Sequence, residues 1–208
     1  MGCSAEDVAK AVRAVAAVVA EHRVELIQLD RAIGDGDHGE NLDRGFGFVV
    51  AKLDEATPDT PAAVLKLVAT TLISKVGGAA GPLYGTAFLR AATALGDAAS
   101  LGPAEVTAAL RAALGGVVAR GKAELGDKTM VDALGPAVHA AADAQNSVAS
   151  VLDAAASAAA KGAESTVPLV ARKGRASYLG ERSAGHLDPG ARSTSLLLRS
   201  FADSAAGS

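Results

Sequence analysis

The sequence has one cysteine, no tryptophan and only 3% aromatic residues across 208 positions. A lone thiol, Cys3, cannot close an internal disulfide, which excludes a disulfide-stapled scaffold and suits a reducing compartment. No charge excess is present either: 20 Lys and Arg stand against 23 Asp and Glu, so no basic surplus advertises a nucleic-acid partner. Long apolar runs are also missing. Stretches such as 14–20 are far too short to span a bilayer, and no apolar signal region precedes Cys3. The opening Met1-Gly2-Cys3-Ser4 fails as a myristoylation signal because Glu6 stands where a hydroxyl residue is needed. The expectation is a soluble, cytoplasmic chain that partners neither membrane nor nucleic acid.

What is abundant is alanine, about a quarter of the chain, within a 50% hydrophobic composition of mean hydropathy +0.26. Such a chain is neither disordered nor all-β, since alanine favours helices and disfavours strands. Helix starts recur at near-regular intervals. Ser4 with Asp7 forms a variant capping box, opening a helix to about Leu29. A second covers about 41–53, and Thr60-Pro61 opens a third to about Ser74. Gly81-Pro82 starts a fourth, Gly102-Pro103 a fifth to about Lys122, and Thr129 with Asp132 a sixth. Ser147 caps a seventh to about Ala163, and Asp188-Pro189 an eighth ending near Phe201. With mostly short connections, these predict an all-α fold: an eight-helix antiparallel up-and-down barrel or bundle, as one domain over 1–208.

The chemistry concentrates between helices. Asp30, Asp35 and Asp37 fall within eight residues, interleaved with Gly34, Gly36 and Gly39. Clustered carboxylates repel one another, and a hard divalent cation relieves this; all-oxygen ligation suits Mg²⁺ or Ca²⁺. An EF-hand does not fit. Counting from Asp35, position six is Glu40 rather than Gly, and position twelve is Phe46 rather than Glu. Asp-Gly-Asp alone would serve equally as turn chemistry.

A second segment, Gly77-Gly78-Ala79-Ala80-Gly81-Pro82, precedes a helix and leaves backbone N–H groups free for an anion. It is not a P-loop, and by itself reads as an ordinary helix connection. A third is the Gly121 to Met130 connection with Lys122, Asp127 and Lys128. A fourth runs from Arg172 to Gly190, carrying Arg175, Arg182, His186 and Asp188. A loop of that length inside a compact domain is functional or disordered. In an up-and-down bundle these four connections follow the first, third, fifth and seventh helices, and so converge on one end.

In these stretches the chain resembles the L subunit, or L domain, of dihydroxyacetone kinases: residues 33–39 (IGDGDHG), 77–85 (GGAAGPLYG), 128–134 (KTMVDAL) and 172–190 (RKGRASYLGERSAGHLDPG). The resemblance implies an eight-helix barrel holding ADP or ATP on one rim through two Mg²⁺ ions. It implies that Asp30, Asp35 and Asp37 ligate metal, and that His38, Gly39, Glu40 and Asn41 lie by the phosphates. Gly78, Ala79 and Ala80 match the phosphate turn, with Ala80 where Ser is common. Gly121 and Met130 match contacts near the base, and Arg175, Asp188, Pro189 and Gly190 the closing segment. Implied partners are a dihydroxyacetone-binding K subunit and a phosphohistidine carrier of the phosphotransferase system that recharges bound ADP. In another branch ATP is an exchanging substrate. No catalytic nucleophile is expected from this chain. The same residues also suit a non-catalytic docking module for a kinase partner or a transcription regulator. An Ala- and Val-rich ring further leaves room for an apolar ligand.

Overall fold

Among the described residues, 2–207, the computed structural model has nine α-helices, one 3₁₀ segment and no strand beyond a single antiparallel bridge between Cys3 and Leu101. Met1 of the amino-terminal motif and the extreme ends of the expected 1–208 domain lie outside them. The helices are α1 (Ala5–Glu21), α2 (Arg23–Ile33), α3 (His38–Glu55), α4 (Pro61–Lys75) and α5 (Ala80–Leu95). They continue as α6 (Pro103–Gly121), α7 (Met130–Asp143), α8 (Val148–Glu164) and α9 (Pro189–Ala206).

Most begin where a capping side chain stands. The Ser4 hydroxyl accepts from Asp7 N at 3.2 Å while Asp7 accepts from Ser4 N at 2.9 Å. Thr60, Thr129, Ser147 and Asp188 cap α4, α7, α8 and α9 in the same way.

Two boundaries differ from expectation. The first expected helix is two, α1 and α2, broken at His22, where ψ is 6°. No Gly or Pro marks the break, and its cause is tertiary: His22 Nδ1 bonds Glu25 Oε2 at 2.6 Å, and Arg192 of α9 grips the same carboxylate. The helix expected from Asn41 starts at His38, because its cap comes from another helix: Asp30 Oδ2 accepts from Asp37 N and His38 N at 2.8 and 3.1 Å.

Helices α1 and α3 to α9 form a closed antiparallel ring in chain order, with α9 returning against α1, while α2 packs on α3 and α9. The inner faces bury Val12, Val15, Val19, Phe46, Val49, Val64, Val68 and Leu72 completely, each contributing about 1.5–3 kcal/mol. Along α7 and α8 many buried positions are alanine, among them Ala133, Ala137, Ala155 and Ala159, which lets the axes approach closely. An apolar cavity of about 170 Å³ inside the ring is bounded by Tyr84 and Met130 at one end and Cys3 and Leu101 at the other. No helix among the described residues is long and apolar enough to cross a membrane. Because successive helices are antiparallel, the connections after α2, α4, α6 and α8 reach the same end of the barrel.

Candidate functional site

Those four connections line one cleft of about 410 Å³. Asp30, in the last turn of α2, is buried, and its two backbone N–H bonds fix Oδ2 in place. A Cβ at Gly34 would strike Asp30 Oδ1, so glycine there keeps that oxygen clear. One oxygen from each of Asp30, Asp35 and Asp37 lies within 4.8 Å of the others. Three hard oxygen donors this close suit a small divalent cation, which would screen their mutual repulsion. Asp35 Oδ2 also pairs with Arg175 Nε at 3.0 Å, across from the 165–188 connection.

Facing the carboxylates is the start of α5. Gly78 has φ +65°, and a Cβ on it would stand 3.8 Å from both Asp37 oxygens. The glycine thus turns the backbone while bringing it against the acidic trio. Ala79, at the N-cap position of α5, provides no side-chain cap. The first N–H groups of α5 therefore have no side-chain acceptor and open on the cleft, as an anion site requires.

The rim is closed by residues 165–188. A 3₁₀ segment (Arg175–Ser183) interrupts this connection, kinked at Gly180 with φ +54°. Ser177 and Ser183 hydroxyls donate to Gly174 and Gly180 carbonyls at 2.7 and 2.6 Å. The neck is tied by Lys128, itself at φ +62° and 1% exposed. Its Nζ donates to Thr166 O at 2.6 Å and to His186 O, joining both ends of the connection. Burial pushes the Asp188 carboxyl up to about 7 despite hydrogen bonds from Ala191 and Gly190 and the nearby Lys128 charge. The same desolvation lowers Lys128, and it holds the His38 imidazole below its ordinary range against the pull of Asp30 and Asp37.

The cleft brings together Asp30, Asp35, Asp37, His38, Gly78, Ala79, Ala80, Gly121, Met130, Arg175, Asp188, Pro189 and Gly190. Gly39, Glu40 and Asn41 do not line it. Gly39 is buried against Arg23 and Leu26, Glu40 points to solvent, and Asn41 accepts from Arg44 at 2.6 Å. Sequence reasoning did not single out Tyr84 or Arg120, which also line the cleft, as does Lys173 of the fourth segment. Nor did it find the 3₁₀ segment, although the paired Gly-x-x-Ser spacing of Gly174/Ser177 and Gly180/Ser183 was there to read. The Lys128 tie leaves no sequence signal, since its three carbonyl partners carry no side-chain identity.

The DAK2 domain matches residues 32–203. The chain is 48% identical over 180 residues to the ADP-binding subunit DhaL of the PEP-dependent dihydroxyacetone kinase of Escherichia coli K12, covering 85% of this chain and 86% of that protein. It is 44% identical over 183 residues to the corresponding subunit of PEP-dependent dihydroxyacetone kinase 1 of Listeria innocua, covering 88% of each. The crystal structure of the C. freundii dihydroxyacetone kinase in complex with AMP-PNP and Mg²⁺ superposes with a TM-score of 0.75 at 29% identity. That match covers 98% of this chain and 35% of the other, so this chain spans about a third of that kinase.

Proposed function

This chain belongs to the DAK2 domain family, and from that premise we propose that it is the nucleotide-binding subunit of a dihydroxyacetone kinase, a single nucleotide-binding domain over 1–208. The observation that carries the reading is one cleft in which three clustered carboxylates face an uncapped helix start, with a guanidinium between the walls. Asp30, Asp35 and Asp37 would hold two Mg²⁺ ions. Ions bound there would supply charge neutralisation and orientation for the phosphate oxygens. Two ions carry about +4 against about −3 from the aspartates and −3 to −4 from ADP or ATP, a small negative remainder that the arginines of the closing loop would reduce.

The chain's own residues supply position and field. Gly78, Ala79 and Ala80 present backbone N–H groups to the phosphates, and His38 anchors the neighbouring helix start. Met130 and Gly121 receive the base. Arg175 and the Asp188, Pro189 and Gly190 turn close the rim and exclude water. Phosphoryl transfer needs no nucleophile from the protein, in keeping with a cleft built from carboxylates, backbone N–H groups and cations.

The acceptor, dihydroxyacetone, sits on a separate K subunit, and a phosphohistidine carrier recharges ADP in place. The two relatives described above, both named as PEP-dependent, support this branch at 48% and 44% identity, against 34% for an erythrulose kinase of Mycolicibacterium smegmatis. Tyr178 and Leu125, 88% and 59% exposed at the rim, offer these partners apolar contact. A docking role toward a regulator would use the same surface. The apolar cavity inside the ring would take an apolar ligand, which mass spectrometry of the denatured protein detects.

Reconstitution with K and carrier subunits tests the reading. Phosphorylation of dihydroxyacetone that requires this chain and Mg²⁺ supports it, whereas no transfer from either carrier or ATP leaves only docking. ADP retained through exhaustive desalting marks a resident cofactor, and ADP lost marks an exchanging substrate.

A further inference from the structure

Beneath the cleft, three of its four walls meet in a cluster of buried hydroxyls. Ser193 and Thr194, in the first turns of α9, are 0% and 4% exposed. Buried Ser and Thr in a helix commonly donate to a carbonyl one turn back, and Thr194 does so, to Gly190 O at 2.8 Å. Ser193 has two acceptors within reach, Gly190 O at 3.1 Å and His38 Nε2 at 2.9 Å. The Tyr84 hydroxyl, arriving from α5, stands 2.7 Å from Ser193 Oγ and 3.0 Å from Thr194 Oγ1.

Counting hydrogens leaves Ser193 as the donor to the His38 ring. The His38 ring makes its other hydrogen bond to the Pro189 carbonyl, which can only accept. That ring nitrogen therefore bears the hydrogen, and in a neutral ring Nε2 is left as an acceptor. Ser193 then donates to Nε2, Thr194 serves Gly190, and the Tyr84 hydroxyl donates to Ser193, the nearer of its two hydroxyl neighbours. The chain of donors runs from α5 through α9 to the start of α3.

His38 is where this matters. Its backbone N–H, with that of Asp37, holds Asp30 Oδ2, and Asp37 is itself one of the trio. A ring pinned between Pro189 and Ser193 fixes the first turn of α3 against α9, and with it the spacing of Asp30 and Asp37. Tyr84 belongs to the helix whose start forms the phosphate turn, so the same cluster fixes that turn relative to the carboxylates.

We infer that Tyr84 and Ser193 are positioning residues for the rim site, acting by fixing the orientation and tautomer of His38. The inference rests on the reading of the cleft as a Mg-nucleotide site.

The test uses the full chain, ¹⁵N-labelled at histidine, with His38 signals assigned through His38→Gln. In the native protein the two ring nitrogens give well-separated shifts, one protonated and one bare. In Ser193→Ala, Nε2 loses its donor, the separation shrinks as the ring samples both tautomers, and the Kd for Mg-ADP rises about tenfold. Tyr84→Phe, which keeps the ring packing, raises it about threefold, and Ser193→Thr restores the native shifts. Unchanged far-UV circular dichroism confirms that the variants fold. Ring shifts that stay native in Ser193→Ala overturn the inference, and so does an altered ring with unaltered affinity. If the native chain shows the separated shifts yet binds no Mg-ADP, the reading of the cleft falls and takes the positioning role with it.

Discussion

At the end away from the cleft, α1, α4, α6 and α8 each begin under a side chain of their own. Ser4, Thr60 and Ser147 accept first-turn N–H groups, and Glu105 accepts from Gly102 N at 2.9 Å. At the cleft end only α7 and α9 do so, while α3 borrows its cap from Asp30 and α5 has none. The far rim thus satisfies part of its helix starts with side chains of its own. The near rim leaves donors free beside concentrated carboxylates, an arrangement that costs stability until charge of the right sign arrives. Alternate loops of one barrel carry helix caps at one end and the candidate site at the other.

Substitutions at the two ends should therefore part company. Asp35→Asn at the near rim is expected to weaken Mg-dependent nucleotide binding about 100-fold with native helix content, read by calorimetric titration and circular dichroism. Equal affinity in the variant would remove the carboxylates from the site.

A pH scan sharpens the contrast. The Asp188 carboxyl is held near 7 in the folded chain against 3.8 when exposed, so the native state binds the extra proton between those values. Its contribution to stability is complete below about pH 4 and declines as pH rises toward about 7. Asp188→Asn keeps the α9 cap, and its thermal midpoint should fall less than that of the native chain over this window. A parallel decline would place the titration elsewhere.

Thr60→Ala at the far rim should lower unfolding stability by about 1 kcal/mol and leave nucleotide affinity untouched, checked by urea unfolding beside calorimetry. The smallest effect is expected from Ala80→Ser, which adds a hydroxyl donor at the uncapped start of α5 and tightens nucleotide binding about threefold. Weaker binding would mean that the hydroxyl turns back to the helix instead.

The parts legible in the sequence were those whose signals are local. Capping residues and Gly-Pro pairs located seven helix starts within a few positions, and loop parity alone gathered Asp30, Gly78, Met130 and Arg175 at one end. What escaped was non-local. The break at His22 depends on Glu25 meeting Arg192, 167 residues away in sequence. The early start of α3 depends on a carboxylate one helix earlier. Asn41, expected at the phosphates, lies with its amide near Gly77 and Gly78 and also accepts from Arg44, a pairing that spacing does not reveal. Tyr84 stood within the matched stretch 77–85 with no role of its own, because its partners Ser193 and Thr194 lie over a hundred residues on.

The most direct test is a crystal structure of this chain grown with Mg²⁺ and AMP-PNP. The account predicts metal density between Asp30, Asp35 and Asp37, with the phosphates against the first N–H groups of α5. Nucleotide bound away from this rim, or carboxylates turned to solvent with no ion between them, would contradict it.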